Sequence, residues 1–213
     1  MDLEPEILFE DADLLVLTKP SGWLSEGGKT GQRDLEQWAT EEWGREIRCC
    51  HRLDRLTSGV ILLRKNRRLL RELAALFEKH QIRKSYWALV KGIWPKDIRS
   101  ISKPIAARDA LSMQIDSDHG KPAETRVRVR SCNRTANYSW LDLLLKTGRR
   151  HQARLHCADA GYPILGDTVY GGPEASGLFG LHAHNLRFRH PSSGEDLNLT
   201  TSAPDSWGKF LPD

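Results

Sequence analysis

The sequence predicts an α+β fold, a mixed and largely antiparallel sheet with flanking helices. Segments with the alternation or the continuous apolar runs of strands outnumber segments with helical spacing. Several of these strands follow one another without a helical crossover, which favours antiparallel or mixed pairing. No linker rich in Pro, Gly and Ser divides the chain, so we expect a single domain over residues 1–213.

The first third of the chain contains one buried strand and one short helix. "DLLVLTKPSG" (13–22) is a continuous apolar run that ends at Pro and Gly, as buried strands do. A helix is expected to begin at Asp34, with Gln37 in the capping-box position, and to end at Gly44. Its apolar spacing predicts a buried face of Leu35, Trp38 and Ala39.

The rest of the chain alternates between strands and two further helices. "GVILLRK" (59–65) predicts a central strand, and Asn66 then caps a helix with apolar residues at Leu69, Leu70, Leu73, Leu76 and Phe77. "RRHQARLHCADAG" (149–161) predicts a helix that ends at Gly161. Further strands are expected at "KSYWALVKG" (84–92), "TRVRVRS" (125–131), "YSWLDLLLK" (138–146) and "LFGLHAHNLRF" (178–188).

Charge and cysteine content restrict the class of protein. Residues 1–46 carry 12 acidic and 4 basic side chains, whereas the remainder carries 28 basic and 16 acidic ones. Such a basic body is typical of a protein that contacts a polyanion, and equally of an enzyme with a solvated basic face. No apolar run is long enough to span a bilayer. The four cysteines form no C-x-x-C pair, so we expect a reducing, cytoplasmic setting without a disulfide framework.

One segment is especially basic. Arg64 to Lys84 contains eight Lys or Arg residues and two Glu residues. Most of these side chains are expected to be the solvated wall of a helix, and the alternative is contact with nucleic-acid phosphates.

The segment "HRLDRLTSG" (51–59) places Asp54 between Arg52 and Arg55, just ahead of an apolar strand. A carboxylate at such a position is costly unless it is paired. Arg154, on one face of a later helix, could supply the partner. The carboxylate would then be an oriented nucleophile or base, or else one half of a structural ion pair.

Other chemistries lack their residue patterns. The clusters "CCH" (49–51), "HC" (156–157) and "HAH" (182–184) lack the spacing of zinc ligands, so no metal is expected. Ser58 is not surrounded by the G-x-S-x-G elbow of serine hydrolases.

Motifs along nearly the whole chain resemble the RluA-type pseudouridine synthases. "HRLDRLTSGVILLRK" resembles the catalytic loop of that family, and "EDADLLVLTKPSGWL" resembles its opening strand. The other matching segments, in chain order, are "RKSYWALVKG", "GKPAETRVRV", "TGRRHQARLHCADAGYPILGDTVYG" and "LHAHNLRFRHP".

The resemblance implies an enzyme that isomerises uridine to pseudouridine in a folded RNA. It implies a mixed, largely antiparallel sheet with a central catalytic cleft, and neither an organic cofactor nor a metal. Asp54 matches the essential aspartate of the family, Tyr86 the tyrosine that packs on the target base, and Arg154 the basic residue that pairs with the aspartate. Substrate-binding residues are expected in the same two motifs: His51, Arg52, Arg55, Thr57, Arg149, His151 and Gln152.

Some features depart from the family pattern. Ala153 replaces a larger aliphatic residue, Trp87 is bulkier than expected beside Tyr86, and Arg126 replaces a residue that is often aromatic. The opening strand begins within about ten residues of the start, so we expect the small N-terminal RNA-binding module of many relatives to be missing. We therefore expect the catalytic domain itself to select a short, accessible RNA stem-loop. We also expect a monomer, because most of the motifs serve one cleft. A catalytically silent RNA-binding protein of the same fold is the alternative.

Overall fold

The computed structural model describes residues 4–28, 31–175 and 177–210. Its helices are α1 (Leu35–Trp43), α2 (Leu70–Glu78) and α3 (Gln152–Asp159), with 3₁₀ turns at Thr168–Tyr170 and Asp205–Phe210. Its strands are β1 (Glu6–Glu10), β2 (Leu14–Lys19), β3 (Arg48–Cys49), β4 (Ser58–Arg64), β5 (Arg83–Lys91), β6 (Ser100–Ser102), β7 (Ile105–Ala107), β8 (Met113–Ile115), β9 (Glu124–Asn133), β10 (Tyr138–Leu145), β11 (Leu181–Arg189) and β12 (Asp196–Thr200).

The tertiary contacts group the chain into two compact units. The first unit contains the residues up to Lys84 together with Ala183–Ser202. The second unit contains Ser85–His182 and the residues from Ala203 onward. The expectation of a single domain over residues 1–213 stays a prediction.

The first unit is built on the strand order β1-β2-β4-β11, with β3 beside β4 and β12 beside β11. The pairs β1/β2, β2/β4, β3/β4 and β11/β12 are antiparallel. β2 and β4 are buried along almost their whole length. This burial explains why both read as continuous apolar runs rather than as alternating strands.

A glycine is required where β4 approaches β11. Gly59 has a φ of +114°, and a Cβ atom there would lie 2.2 Å from the carbonyl oxygen of Ala183. Only a residue without a side chain allows this separation. The glycine in the Thr-Ser-Gly sequence therefore serves close strand packing.

The helices of the first unit follow the sequence predictions in part. Asp34 caps α1 by accepting a hydrogen bond from the Gln37 backbone N–H, and Gly44 ends the helix in the left-handed region. The prediction that Asn66 caps α2 was wrong, because α2 begins at Leu70. The Asn66 side chain instead accepts from the Arg68 backbone N–H in the preceding turn.

The second unit is built on the strand order β5-β10-β9-β6, and β7 and β8 form a separate antiparallel hairpin. The pairs β9/β10 and β6/β9 are antiparallel. The hairpin shares a small apolar cluster with α3, in which Ile105, Ala123 and Leu155 are buried. The first turn of α3 is thus held against the sheet and the hairpin.

The prediction of an α+β fold with a mixed, mostly antiparallel sheet is confirmed. The short strands β1, β3, β6, β7, β8 and β12 had no counterpart in the sequence predictions. In the ranges that the structure describes, no helix combines the length and the apolarity needed to cross a bilayer.

Candidate active site

Asp54 lies in a tight turn of the first unit, between β3 and β4. Its carbonyl oxygen accepts a hydrogen bond from the backbone N–H of Thr57 at 3.0 Å. The side chain of Asp54 is partly exposed, and the strand that follows is buried. The turn therefore presents a carboxylate at the end of a rigid strand. We call residues 51–58 the Asp54 turn.

The loop that follows β2 holds the Asp54 turn at three residues that flank Asp54: Leu53, Arg55 and Leu56. Ser25 Oγ accepts from the Leu53 N–H and donates to the Leu53 carbonyl oxygen, both at 3.0 Å. The carbonyl oxygen of Arg55 accepts from the Gly22 N–H at 2.8 Å. Ser21 Oγ donates to the carbonyl oxygen of Leu56 at 2.7 Å. These bonds fix the backbone on both sides of Asp54.

Lys19, the last residue of β2, lies beneath the turn and is fully buried. Its Nζ donates to the carbonyl oxygens of Pro20, Trp23 and Arg55, at 3.0, 2.8 and 3.1 Å. Three acceptors match the three protons of an ammonium group. Burial lowers the pKa of Lys19 to about 7, and the negative charge of Asp54 opposes this shift. A buried cation thus lies near the candidate carboxylate.

His51 connects the turn to the strand after it. Its Nε2 accepts the backbone N–H of Leu62 in β4 at 3.1 Å, so the ring is neutral in this arrangement. Desolvation, and secondarily the charge of Lys84, lowers the pKa of His51 to about 3. This nitrogen is used within the protein, which indicates a structural contribution in addition to the predicted contact with RNA.

The other predicted substrate-binding residues of the turn differ in exposure. Arg52 and Arg55 are exposed, and Arg52 Nη1 lies 3.4 Å from Glu26 Oε1. Thr57 is buried, and its Oγ1 has no hydrogen-bond partner in the described part of the chain. A buried hydroxyl without a partner costs about 1–3 kcal/mol, so the position of Thr57 needs an explanation.

In the second unit, the guanidinium of Arg154 is held by Asp167. Nε and Nη2 of Arg154 donate to the two carboxylate oxygens of Asp167, at 2.6 and 2.8 Å. The rings of Tyr170 and Phe179 lie 5.1 and 5.4 Å from the guanidinium carbon. The pair fixes the plane and the direction of Arg154. The predicted ion pair between Arg154 and Asp54 stays a prediction.

Tyr170 connects the start of α3 to the β7/β8 hairpin. Its hydroxyl oxygen accepts from the Met113 backbone N–H and lies 2.8 Å from Nδ1 of His151. His151 precedes α3 and has a φ of +55°, in the left-handed region. His151 is therefore fixed by its backbone and by its ring.

Gln152 is predicted from the motif to bind substrate, yet its amide is used inside the second unit. Oε1 accepts from Thr147 Oγ1 and from the Arg149 N–H, while Nε2 donates to Thr125 Oγ1 and to the carbonyl oxygen of Glu124. These four bonds match the full capacity of an amide side chain. The exposed Arg149 donates from Nε to the carbonyl oxygen of Pro122.

Tyr86 lies on β5 and is 8% exposed, on the same face as Ala88 and Val90. Trp87 points to the opposite face, where its ring packs edge-on against Trp140 at 5.4 Å. The departure at position 87 is therefore accommodated away from the face that carries Tyr86.

Two structural residues of the site had no predicted role. Lys19 stands inside an apolar run next to a proline, and a lysine in a buried strand is a signal in its own right. Asp167 belongs to the quoted segment "YPILGDTVYG", although its pairing with Arg154 was not anticipated. Within residues 4–28, 31–175 and 177–210, no group of three or more His, Cys, Asp or Glu side chains is placed to hold a metal ion.

Comparison with known proteins identifies the family. A family model described as RNA pseudouridylate synthase matches residues 13–159. Ribosomal large subunit pseudouridine synthase C of Vibrio parahaemolyticus is 33% identical over 221 residues, covering 99% of this chain and 69% of that protein. The protein of the same name from Haemophilus influenzae is 36% identical over 214 residues, covering 94% and 66%. The chain thus spans about two thirds of the length of these relatives.

Solved structures agree with the sequence comparison. The structure of human RNA pseudouridylate synthase domain containing 4 aligns with a TM-score of 0.79 and 25% identity, covering 98% of this chain and 95% of that one. The family match extends over most of the chain, and it includes both the Asp54 turn and α3. The chain therefore belongs to the RNA pseudouridylate synthase family, and it is an isomerase of uridine in RNA.

Proposed function

We propose that this enzyme converts uridine to pseudouridine in ribosomal RNA of the large subunit, with Asp54 as the catalytic carboxylate. The observation that carries the proposal is the fixation of the Asp54 turn by the loop after β2 and by buried Lys19. A fixed backbone on both sides is what a carboxylate needs to meet one atom of a substrate repeatedly. The RNA target follows from the names of the bacterial relatives, and transfer RNA is the second candidate.

The reaction breaks the bond between N1 of uracil and C1′ of ribose, turns the base, and joins C5 to C1′. The proton on C5 is lost and N1 gains one, so the base is rearranged without hydrolysis. Ordinary glycosidases use two carboxylates, one of which protonates the leaving group. One carboxylate suffices here if the leaving uracil holds its negative charge on its carbonyl oxygens. Asp54 would either attack C1′ or remove a ribose proton to give a glycal, and both routes return it to its starting state.

Arg154 and Tyr86 have complementary proposed roles. Arg154, oriented by Asp167, would pair with Asp54 and direct it at the ribose. Tyr86 would pack on the extruded base, where aromatic stacking contributes ~1–3 kcal/mol. The structural support for Arg154 is its bidentate pair with Asp167, which fixes the plane and the direction of the guanidinium.

Extruding a nucleotide from a stem costs a few kcal/mol, and least in a loop. Exposed Arg52, Arg55 and Arg149 are proposed to hold backbone phosphates around the extruded nucleotide. The unpartnered hydroxyl of Thr57 is proposed to bind a polar group of the substrate. Their shared feature is a polar or charged group beside a fixed turn or helix start.

Release of tritium from RNA labelled at uracil C5 tests the proposal. Wild-type protein should release tritium from large-subunit ribosomal RNA, whereas Asp54→Asn should reduce the rate by at least about a thousandfold and leave RNA affinity within about threefold. Asp11→Asn, a change of the same type outside the turn, should keep wild-type activity. A wild-type protein that binds RNA but releases no tritium from ribosomal or transfer RNA would establish the catalytically silent alternative.

The target and the working state need separate measurements. Mapping of pseudouridines in cells with and without the gene should reveal one or a few uridines in stem-loops that lose modification. We further infer that the enzyme is a monomer, because the proposed motifs all serve one site. We also infer that it acts in the cytoplasm, the reducing setting that its cysteines indicate. Light scattering of the purified protein at working concentration should give the mass of one chain.

A further inference from the structure

The first unit contains a basic cleft that the proposed chemistry does not use. Its volume is about 790 Å³, and it lies between the residues after α2, strand β11 and the turn at 190–194. Its polar lining includes Arg83, Arg187, Arg189, Gln81, Ser192 and Ser193. We call these residues, with the space between them, the Arg187 cleft.

None of the three arginines of the cleft pairs with a carboxylate within the part of the chain that the structure describes. Arg83 and Arg187 are both exposed, and neither pairs with a carboxylate in the described residues. Arg189 is fixed along the wall, because its Nε donates to the carbonyl oxygen of Gly194 at 2.9 Å. Asp196, opposite Arg189 in the β11/β12 register, is the acidic residue of the lining. The cleft therefore has an excess of positive charge.

The spacing of these charges suits a chain of anions. Arg187 and Arg189 are two residues apart on β11, so their side chains leave the same face, about 7 Å apart along the strand. Arg83 faces the same space from the segment after α2. A concave surface with repeated guanidinium groups fits successive phosphates, each of which can accept paired hydrogen bonds.

The basic residues between Arg64 and Lys84 differ in what they contact. Three of its other members bind carboxylates of the same unit, which neutralises them locally: Lys65 binds Glu10, Arg67 binds Glu46 and Arg68 binds Asp13. Arg83 stands at the far end of the segment and faces the cleft. These three side chains thus belong to the structure of the first unit, while Arg83 remains available to a ligand.

We propose that the Arg187 cleft binds the sugar–phosphate backbone of the substrate RNA, at nucleotides other than the one that reacts. This proposal rests on the proposed function for the identity of the RNA. Gln81 and Ser193 add side-chain donors for phosphate or ribose oxygens. Binding of this kind reads the path of the backbone rather than its sequence, and it makes affinity depend on salt.

The test is the salt dependence of RNA binding by the double variant Arg83→Gln/Arg187→Gln. The double variant and the parent protein with which it is compared both carry Asp54→Asn, so that the RNA is not converted during the measurement. The probe is a fluorescein-labelled stem-loop from large-subunit ribosomal RNA, followed by anisotropy between about 50 and about 300 mM KCl. A plot of log affinity against log salt concentration has a negative slope. Loss of two phosphate contacts should make this slope shallower by about 1.4–1.8. The affinity near 0.1 M salt should fall roughly tenfold.

The matched control is Arg71→Gln/Arg134→Gln, which removes the same charge from exposed positions outside the cleft. Its slope should change by less than about 0.5, because neither residue lines the cleft where the phosphates are proposed to bind. Urea unfolding of both doubles should match that of the parent. Equal slopes for the two doubles would overturn the proposal. Loss of binding to polyglutamate, without loss of binding to RNA, would overturn it in favour of an acidic protein partner.

Failure of the proposed function gives a different pattern. One pattern is that the wild-type protein releases no tritium, while the cleft variant still shows a weaker salt dependence of RNA affinity. The proposed RNA binding in the Arg187 cleft is then supported and the proposed catalysis is wrong. If tritium release depends on Asp54 while the cleft and control double variants bind RNA alike, the proposed catalysis is supported. The proposed binding of RNA in the Arg187 cleft is then wrong.

Discussion

Arg154 and Asp167 form a buried bidentate ion pair, with N–O distances of 2.6 and 2.8 Å. The side chains are 8% and 1% exposed, so neither charge has water as a substitute partner. Removal of either side chain breaks this buried pair, which typically costs about 3–5 kcal/mol. The pair therefore links the folding of the second unit to the orientation of Arg154.

A double-mutant cycle should show this coupling. Arg154→Met and Asp167→Leu should each lower the free energy of unfolding by about 3–5 kcal/mol. The double variant should lose clearly less than the sum of the two, because it leaves no unpaired charge. Urea unfolding of the four proteins measures the coupling energy. Additive losses would show that the two side chains do not depend on each other.

Asp167→Asn tests the orientation of Arg154 in the reaction. The amide keeps the shape of the carboxylate but loses its charge and one acceptor, so the guanidinium should be held less firmly. On the proposed role of Arg154, tritium release at saturating RNA should fall at least about tenfold with little change in KM. Asp159→Asn, on the helix that carries Arg154, is the control and should keep wild-type turnover. Normal turnover of a folded Asp167→Asn protein would contradict the role.

Lys19 should make stability rise with pH. Its pKa is lowered to about 7 in the folded protein, whereas an unfolded lysine titrates near 10.4. Between these values the unfolded chain binds more protons than the folded one, so the free energy of unfolding increases with pH over that window. Lys19→Met should remove this increase. It should also destabilise the protein, by roughly 2–4 kcal/mol at neutral pH, because three buried carbonyl oxygens lose their donor.

Urea unfolding at several values between about pH 6.5 and about pH 9.5 makes the comparison. Lys103→Met, a change of the same type at an exposed lysine, should leave the pH dependence as in the wild type. If the curves of the wild type and Lys19→Met run parallel, the buried ammonium does not titrate in this window and the prediction fails.

His51 should make the protein sensitive to acid. Its pKa is lowered to about 3 in the folded protein, whereas an unfolded histidine titrates near 6.5. Between these values the unfolded chain alone binds the proton, so stability should fall as the pH drops below about 6.5. His51→Gln keeps an acceptor for the Leu62 N–H and cannot be protonated. This variant should lose less stability than the wild type between about pH 7 and about pH 4.5.

The matched control for His51 is His119→Gln, because His119 is an exposed histidine. Its stability should follow the wild-type pH curve, measured by urea unfolding in the same buffers. An acid response of His51→Gln that equals that of the wild type would assign the sensitivity to other groups.

Local patterns were sufficient for much of the fold. β2 and β4 were predicted because a strand buried on both faces is apolar at every position. The ends of α1 were predicted because Asp34 and Gly44 act on the backbone within a few residues. The start of α2 was not predicted correctly. The Asn66 amide also donates to Asp13, and no local sequence pattern indicates that contact. The shortest strands were not predicted either, because such strands are defined by the distant strands with which they pair and not by their own residues.

The sequence by itself determined the family, the reaction class and the candidate residues Asp54, Tyr86 and Arg154, because these are carried by residue types at fixed spacings. Only the tertiary structure decided what holds them. Lys19 meets the carbonyl oxygen of Arg55 across 36 positions of the chain, and Arg154 meets Asp167 across 13. A buried charge is stabilised by whichever groups the fold brings within hydrogen-bond distance. Separation along the chain does not specify those groups, so their identity emerges only once the chain has folded.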